Sequence, residues 1–224
     1  ISVTLNQVGF PLPTFELKSS PLVVDLDADG DMEIIIADNS GIVHIYNADG
    51  TEVINESTFP FDTGNQIWGA VSSADIDRDG FIDFVIASKS KHLYIFDQNG
   101  LKVDYSANQY LMGTPTIGNL DDDGDMEIVI GGYSTSASDS KIFAINPDGS
   151  DVEGFPLLIE EKIKVGVALA DFDGNGKDDL IFGTNDNNVY LILDDGNIAA
   201  NFPFITDDKV QSAPSILGID GEKI

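Results

Sequence analysis

Cysteine is absent from this chain, histidine occurs twice and tryptophan once. Without cysteine there is no disulfide framework, no thiol nucleophile and no thiolate metal site. Two histidines leave little material for catalytic triads. Basic residues are also scarce: 11 Lys and Arg stand against 39 Asp and Glu, for a formal charge of -28 over 224 residues. Nucleic acid is thereby excluded as an expected partner, because little is available to neutralise phosphates. No apolar run approaches the ~18–20 residues of a membrane-spanning helix. No segment carries an apolar stripe of 3.6-residue period over a helical length. The chain opens at Ile1, so any leader peptide is expected to have been removed or to lie outside this sequence.

What the chain has in abundance is one acidic phrase, written four times. It reads Asp25-Leu26-Asp27-Ala28-Asp29-Gly30-Asp31-Met32-Glu33, then Asp75-Ile76-Asp77-Arg78-Asp79-Gly80-Phe81-Ile82-Asp83. The later copies are Asn119-Leu120-Asp121-Asp122-Asp123-Gly124-Asp125-Met126-Glu127 and Asp171-Phe172-Asp173-Gly174-Asn175-Gly176-Lys177-Asp178-Asp179. Oxygen-bearing side chains fall at positions 1, 3, 5 and 9 of each phrase, with glycine at position 6. Position 7, held by Asp31, Phe81, Asp125 or Lys177, is expected to offer its backbone carbonyl. A short loop of this composition wraps a hard cation in oxygens, and the expected ion is calcium, about four in all and structural in role. Four such ions would add eight positive charges and bring -28 to -20. An EF-hand needs a bidentate glutamate at position 12, where this chain has Ile36, Ile86, Ile130 and Phe182. Carboxylates this dense repel one another unless a cation stands among them. The Asn119 and Asp171 loops, each with one amide in place of a carboxylate, are expected to bind more weakly.

First positions recur at intervals of 50, 44 and 52 residues, a period that fits propeller blades or helical solenoids. After each acidic loop come two short apolar runs. The first runs are Glu33–Ala37, Phe84–Ala87, Glu127–Ile130 and Leu180–Phe182; the second are Ile42–Tyr46, Leu93–Phe96, Ile142–Ile145 and Val189–Leu193. Each second run leads to a hairpin signal that ends in Gly50, Gly100, Gly149 or Gly196. Small residues precede every loop, as in Gly69-Ala70 and Gly113-Thr114, and suit strands crowding an axis. The fold class expected is all-β: a β-propeller of four-stranded blades, with a calcium-binding hairpin joining the two inner strands.

These loops, with the phrases Gly154-Phe155-Pro156 and Asn201-Phe202-Pro203, resemble the FG-GAP/VCBS repeat of integrin α-subunit propellers and bacterial secreted proteins. The resemblance implies a propeller of about seven blades, of which this chain would be a section. The blades are expected at residues 17–66, 67–111, 112–163 and 164–210, all within a single propeller over 1–224. Residues 1–16, with Val8-Gly9-Phe10-Pro11-Leu12, are expected to close a preceding blade. Residues 211–224 are expected to begin a fifth with a shortened, metal-free hairpin at Gly218-Ile219-Asp220-Gly221.

The function expected is that of a calcium-stabilised adhesion, scaffold or assembly module, extracellular or at the cell surface, binding a protein, a glycan or neighbouring subunits. Calcium of modest affinity fills such loops only where it is near millimolar, which means outside the cell. Two alternatives stand beside it: the propeller of a polysaccharide-degrading, lyase-like enzyme, and a subunit of a surface fibre. The enzyme reading calls for Lys, Arg, His or aromatic residues converging on one face, and in sequence the 11 basic residues are scattered. No catalytic residue and no organic cofactor is expected. His44 aligns with Tyr94, Phe143 and Tyr190 in an aromatic packing slot, and His92 is expected to precede a strand at a solvated edge. Trp68 is expected at the rim of the axial channel. Gly131–Ser140 is expected as an enlarged loop opposite the calcium hairpins, on the face where integrin propellers engage partners, and reads equally as a binding loop or a tolerated insertion. Asn55-Glu56-Ser57 matches the N-glycosylation triplet.

Overall fold

Each acidic phrase is the turn of a β-hairpin, and the hairpin recurs in one register. The computed structural model describes residues 9–12, 14–54, 58–219 and 222–223. The glycosylation triplet at 55–57, Val8, and the Asp220-Gly221 tip of the last hairpin lie outside the described residues. The first sheet holds β1 (Leu22–Val24), β2 (Glu33–Ala37), β3 (Ile42–Asn47) and β4 (Phe61–Asp62), bonded in that order. The second holds β5 (Ser72–Ala74), β6 (Asp83–Ala87), β7 (His92–Asp97) and β8 (Gly100–Ser106). The third follows the path β10 (Thr116–Gly118), β11 (Glu127–Tyr133), β12 (Lys141–Ile145), β13 (Leu157–Leu158), and off this path β9 (Tyr110–Leu111) pairs with the end of β11. The fourth holds β14 (Ala168–Ala170), β15 (Asp179–Gly183), β16 (Asn188–Ile192) and β17 (Phe204–Ile205). A short hairpin of β18 (Gly218–Ile219) and β19 (Glu222–Lys223) follows. All pairing is antiparallel, and one 3₁₀ turn, Ala137–Asp139, is the sole helical element among the described residues. No helix there is long and apolar enough to cross a membrane.

This is a β-propeller fold, with four antiparallel blades among the described residues. Position 9 of each acidic phrase opens the second strand of its blade and pairs with the last residue of the first: Val24↔Glu33, Ala74↔Asp83, Gly118↔Glu127, Ala170↔Asp179. Position 12 faces the aromatic slot in the third strand: Ile36↔His44, Ile86↔Tyr94, Ile130↔Phe143, Phe182↔Tyr190.

The core lies between blades rather than within them, because successive side chains of a strand point to opposite faces. In β6 and β7, Phe84, Ile86, Tyr94 and Phe96 join Ile35, Val43 and Ile45 of the first blade. The alternate residues Val85, Ala87, Leu93 and Ile95 join Ile128, Ile130, Phe143 and Ile145 of the third. Val129, Ile142 and Ala144 in turn meet Leu180, Phe182 and Tyr190 of the fourth. Phe59, on the segment leading to β4, crosses to the second blade and sits 5.4 Å from the ring of Phe96, while Phe155 makes the matching crossing from the third blade to the fourth. The peptide bonds Phe10–Pro11, Phe59–Pro60, Phe155–Pro156 and Phe202–Pro203 are all cis.

The first strands converge. A Cβ on Gly69 would lie 2.2 Å from the carbonyl oxygen of Gly113, and one on Gly113 would lie 2.6 Å from that of Val165. Backbones of neighbouring blades touch here, which explains the small residues that open these strands. Blades are also joined at the other end, where Asn39, Lys89 and Asn185 donate backbone N–H groups to the carbonyls of Glu16, Gln66 and Lys162 (2.8, 2.9 and 2.9 Å).

Two local readings need correcting. Gly131–Tyr133 are not loop but the end of β11, held by β9 through Gly132↔Leu111 and Tyr133↔Tyr110, so the irregular segment begins at Ser134. His92 is the first residue of β7, paired with Ser106, rather than a residue before the strand.

Candidate metal centres

The acidic loops fold around their own carboxylates. Position 9 uses one oxygen to accept the backbone N–H of position 2 in every copy: Glu33 from Leu26 (2.9 Å), Asp83 from Ile76 (3.1 Å), Glu127 from Leu120 (2.5 Å) and Asp179 from Phe172 (2.7 Å). Position 5 accepts from position 7: Asp29 from Asp31, Asp79 from Phe81, Asp123 from Asp125 and Asn175 from Lys177 (2.8–2.9 Å). Position 1 accepts the N–H of the glycine at position 6 in three copies, Asp25 from Gly30, Asp75 from Gly80 and Asp171 from Gly176 (3.1, 3.1 and 3.2 Å). That glycine has φ between +94° and +98° in all four loops, a conformation that other residues adopt only under strain.

The result is four convergent oxygen clusters. In each of the groups Asp25/Asp27/Asp29, Asp75/Asp77/Asp79, Asp121/Asp123/Glu127 and Asp171/Asp173/Asp179, one oxygen per residue lies within 4.8 Å of the others. Each group could hold a metal ion. Burial raises the pKa of Glu33, Asp83 and Asp179, and pushes that of Glu127 up to about 7. Asp75 Oδ1 and Glu127 Oε1 are buried with no hydrogen-bond partner. A buried carboxylate oxygen left unpartnered is costly, and a hard cation is the partner its chemistry fits.

The four loops are not equivalent. In the third, Asn119 turns to the fourth blade: its N–H donates to Asp178 Oδ2 (3.0 Å), and its carbonyl accepts the N–H of Asp178 (2.7 Å). Ala28, Arg78 and Gly174 at position 4 have positive φ, and Asp122 is not among the positive-φ residues. In the second loop, Lys102 of β8 reaches in from the outer edge, 2.5 Å from Asp77 Oδ2 and 3.7 Å from Asp83 Oδ1. The hydrogen bond from this ammonium lowers the pKa of Asp77. Lys177 of the fourth loop points away from its own cluster to Asp194 (3.0 Å) and to Asp122 of the third (3.6 Å). A cation borrowed from an outer strand is what the sequence reading lacked: β8 bulges at Lys102, whose neighbours Leu101 and Val103 pair with the consecutive residues Phe96 and Ile95, and a bulge set by strand pairing leaves no mark in the sequence.

His44 occupies the aromatic slot, stacked on Tyr46 at 5.9 Å, with Nδ1 2.6 Å from Glu52 and Nε2 3.9 Å from Asp38. His92 stacks on Tyr94 and binds Asp104 through Nδ1. Neither ring holds a hydroxyl nucleophile among the described residues. Trp68 is 39% exposed and carries the Lys89 ammonium 4.3 Å above its ring. Five basic residues that are scattered in sequence are gathered in the fold: Lys89, Lys91, Lys162, Lys164 and Lys209 all lie at the end of the blades opposite the acidic loops.

Residues 25–86, from the first acidic loop through most of β6, match the FG-GAP-like repeat family. Among solved structures the fold is similar to BBS1N, crystallised in complex with ARL6DN (TM-score 0.58, 13% identity, 87% of this chain and 55% of that one). It is also similar to the PilY1 C-terminal domain of Pseudomonas aeruginosa (TM-score 0.57, 17% identity, 84% of this chain and 49% of that one). The chain thus spans about half the length of these solved chains. Curated protein sequences give no match. The chain carries an FG-GAP-like repeat in a β-propeller fold.

Proposed function

We propose that this chain is a propeller section whose four acidic hairpins bind calcium as a structural ion, and that it serves outside the cell as an adhesion, scaffold or assembly module. The ligands in this reading are Asp25, Asp27, Asp29 and Glu33; Asp75, Asp77, Asp79 and Asp83; Asn119, Asp121, Asp123 and Glu127; and Asp171, Asp173, Asn175 and Asp179. The backbone carbonyls of Asp31, Phe81, Asp125 and Lys177 complete each set. The observation that carries it is the convergence of carboxylate oxygens in all four hairpins, with Asp75 Oδ1 and Glu127 Oε1 buried and unpartnered. An ion at each turn staples the two inner strands of a blade, so its binding free energy adds to folding free energy. The function class rests on what the fold exposes: two loop-bearing ends carried on packed blades.

Thermal unfolding tests the metal. Chelation should lower the melting temperature markedly, and calcium should restore it far better than magnesium, which keeps its waters and demands six-coordinate geometry. Equal melting in calcium and in excess chelator would reject the reading.

A further inference from the structure

Five of the eleven basic residues, Lys89, Lys91, Lys162, Lys164 and Lys209, share one end of the propeller, and none of them is ion-paired among the described residues. That is unexpected in a chain with 39 acidic residues, where Lys18 holds one carboxylate and Lys102 and Lys177 hold two each. The topology assembles them. Lys89 and Lys91 lie on the turn between β6 and β7, while Lys162, Lys164 and Lys209 lie on the links that leave the outer strands β13 and β17.

Aromatic rings are interleaved with these ammoniums. Lys89 Nζ stands 4.3 Å from the Trp68 ring, Lys91 Nζ 5.4 Å from Tyr110, and Lys162 and Lys164 Nζ 4.8 and 5.1 Å from Tyr133. Two hollows join these groups into a strip. One of about 40 Å³ lies between Lys91, Tyr110 and Tyr133; the other, about 180 Å³, lies between Trp68, Lys164 and Lys209. Lys164 borders both Tyr133 and the larger hollow, so the strip is continuous. Glu161, the carboxylate beside Lys162 in sequence, is held by Thr184, Asn188 and Tyr190.

We propose that this lysine–aromatic strip binds an acidic polysaccharide. The hollows fall below the ~300 Å³ of a pocket that would enclose a compact ligand. A peptide partner is usually anchored by a desolvated aromatic or arginine hot spot. The strip contains no arginine, whose planar fork suits discrete carboxylates; lysine is a point charge on a flexible stem. Dispersed point charges between ring faces fit a thin polymer that repeats an anion and a sugar ring along its length. Lys89 also donates to Gln66 Oε1 (2.6 Å), a neutral partner that leaves its charge uncompensated. Repulsion from distant acidity is screened over about 8 Å at physiological ionic strength, so the local cations decide the contact. The proposal deepens the binding-module reading and is independent of calcium occupancy in the hairpins.

The test is titration calorimetry of the 224-residue chain at fixed calcium, with short oligogalacturonates, neutral dextran oligomers and poly-L-glutamate as probes. Oligogalacturonate should bind with an affinity that falls as salt rises, dextran should not bind, and poly-L-glutamate should bind more weakly. Lys164→Gln/Lys209→Gln, at two exposed positions, should weaken galacturonate binding about tenfold or more at an unchanged melting temperature. Trp68→Ala should weaken galacturonate but not poly-L-glutamate binding. Absence of galacturonate binding, or undiminished binding by the double variant, would overturn the proposal. Poly-L-glutamate binding as tight as galacturonate would assign the strip to an acidic protein instead. Cleavage of the probe would replace a binding site with a catalytic one. The binding-module reading, which also admits protein partners and neighbouring subunits, survives a failure of galacturonate to bind, and the calcium reading is judged separately by melting.

Discussion

Lys102 donates a hydrogen bond to Asp77 across the mouth of the second acidic loop, with Nζ 2.5 Å from Oδ2. A side chain from the outermost strand thus supplies positive charge to a cluster formed by the innermost hairpin. Lys102 and Asp77 are both partly buried, so their attraction is somewhat less screened than at an open surface. Any metal entering this loop must contend with a resident cation. Lys102→Met should therefore tighten calcium binding at the second loop by about three- to tenfold, the scale of one partly screened charge interaction. Terbium luminescence competed by calcium would measure it. The same substitution should lower stability in chelator, because it leaves Asp77 and Asp83 without their counter-charge.

Glu127 separates the two roles of a position-9 carboxylate. Its Oε2 accepts the Leu120 N–H, and its Oε1 is buried without a partner. Glu127→Gln keeps an acceptor for Leu120 and removes the buried charge. In chelator the variant should melt no lower than the parent, since the ionised form of Glu127 is penalised by burial. In calcium it should gain less stability than the parent. A uniform loss in both conditions would mean that the carboxylate serves packing alone.

Phe59 tests whether blades are held by each other's cores. It is 6% exposed and lies against Phe84 and Phe96, which stack on each other at 4.8 Å. Phe59→Ala should cost about 3–5 kcal/mol in urea unfolding, the range for truncating a buried aromatic. Phe204→Ala, at a residue 60% exposed on the last outer strand, should cost under about 0.5 kcal/mol.

Much of this architecture is legible in the residues themselves. Position 12 of each acidic phrase is apolar because it is already inside a strand, and Ile36, Ile86, Ile130 and Phe182 all face the aromatic slot. The glycines at position 6 and the paired apolar runs mark turns and strands through local chemistry alone. What sequence conceals is set by long-range pairing. Blade two lacks the Phe-Pro phrase and instead runs β8 as a seven-residue strand against β7, with a bulge at Lys102 that delivers this side chain to the second loop. Tyr110-Leu111 follows directly and pairs with the third blade, turning Gly132-Tyr133 from apparent loop into strand. The lysine–aromatic strip is invisible in sequence for the same reason. Its members stand at 68, 89, 91, 110, 133, 162, 164 and 209, and only the return of each blade to the same end brings them together.

Two glycines should separate axis from metal loop. Gly69 is needed for closeness: a Cβ there would meet backbone atoms of Gly113 and Thr114 at 2.2–2.8 Å, and backbone cannot swing aside as a side chain can. Gly30 is needed for conformation: its φ is +95°, and nothing lies within 4 Å of where a Cβ would stand. Gly69→Ala should therefore destabilise by about 1–3 kcal/mol or more, as overpacking does, and by the same amount in calcium and in chelator. Gly30→Ala should cost about 1–2 kcal/mol of backbone strain, and it should also weaken calcium binding at the first loop, because the turn that gathers Asp25, Asp27 and Asp29 depends on that φ. Urea unfolding of both variants, with and without calcium, measures the contrast. A calcium-dependent penalty for Gly69→Ala would mean that the axis and the metal loops are mechanically coupled through the three-residue first strands.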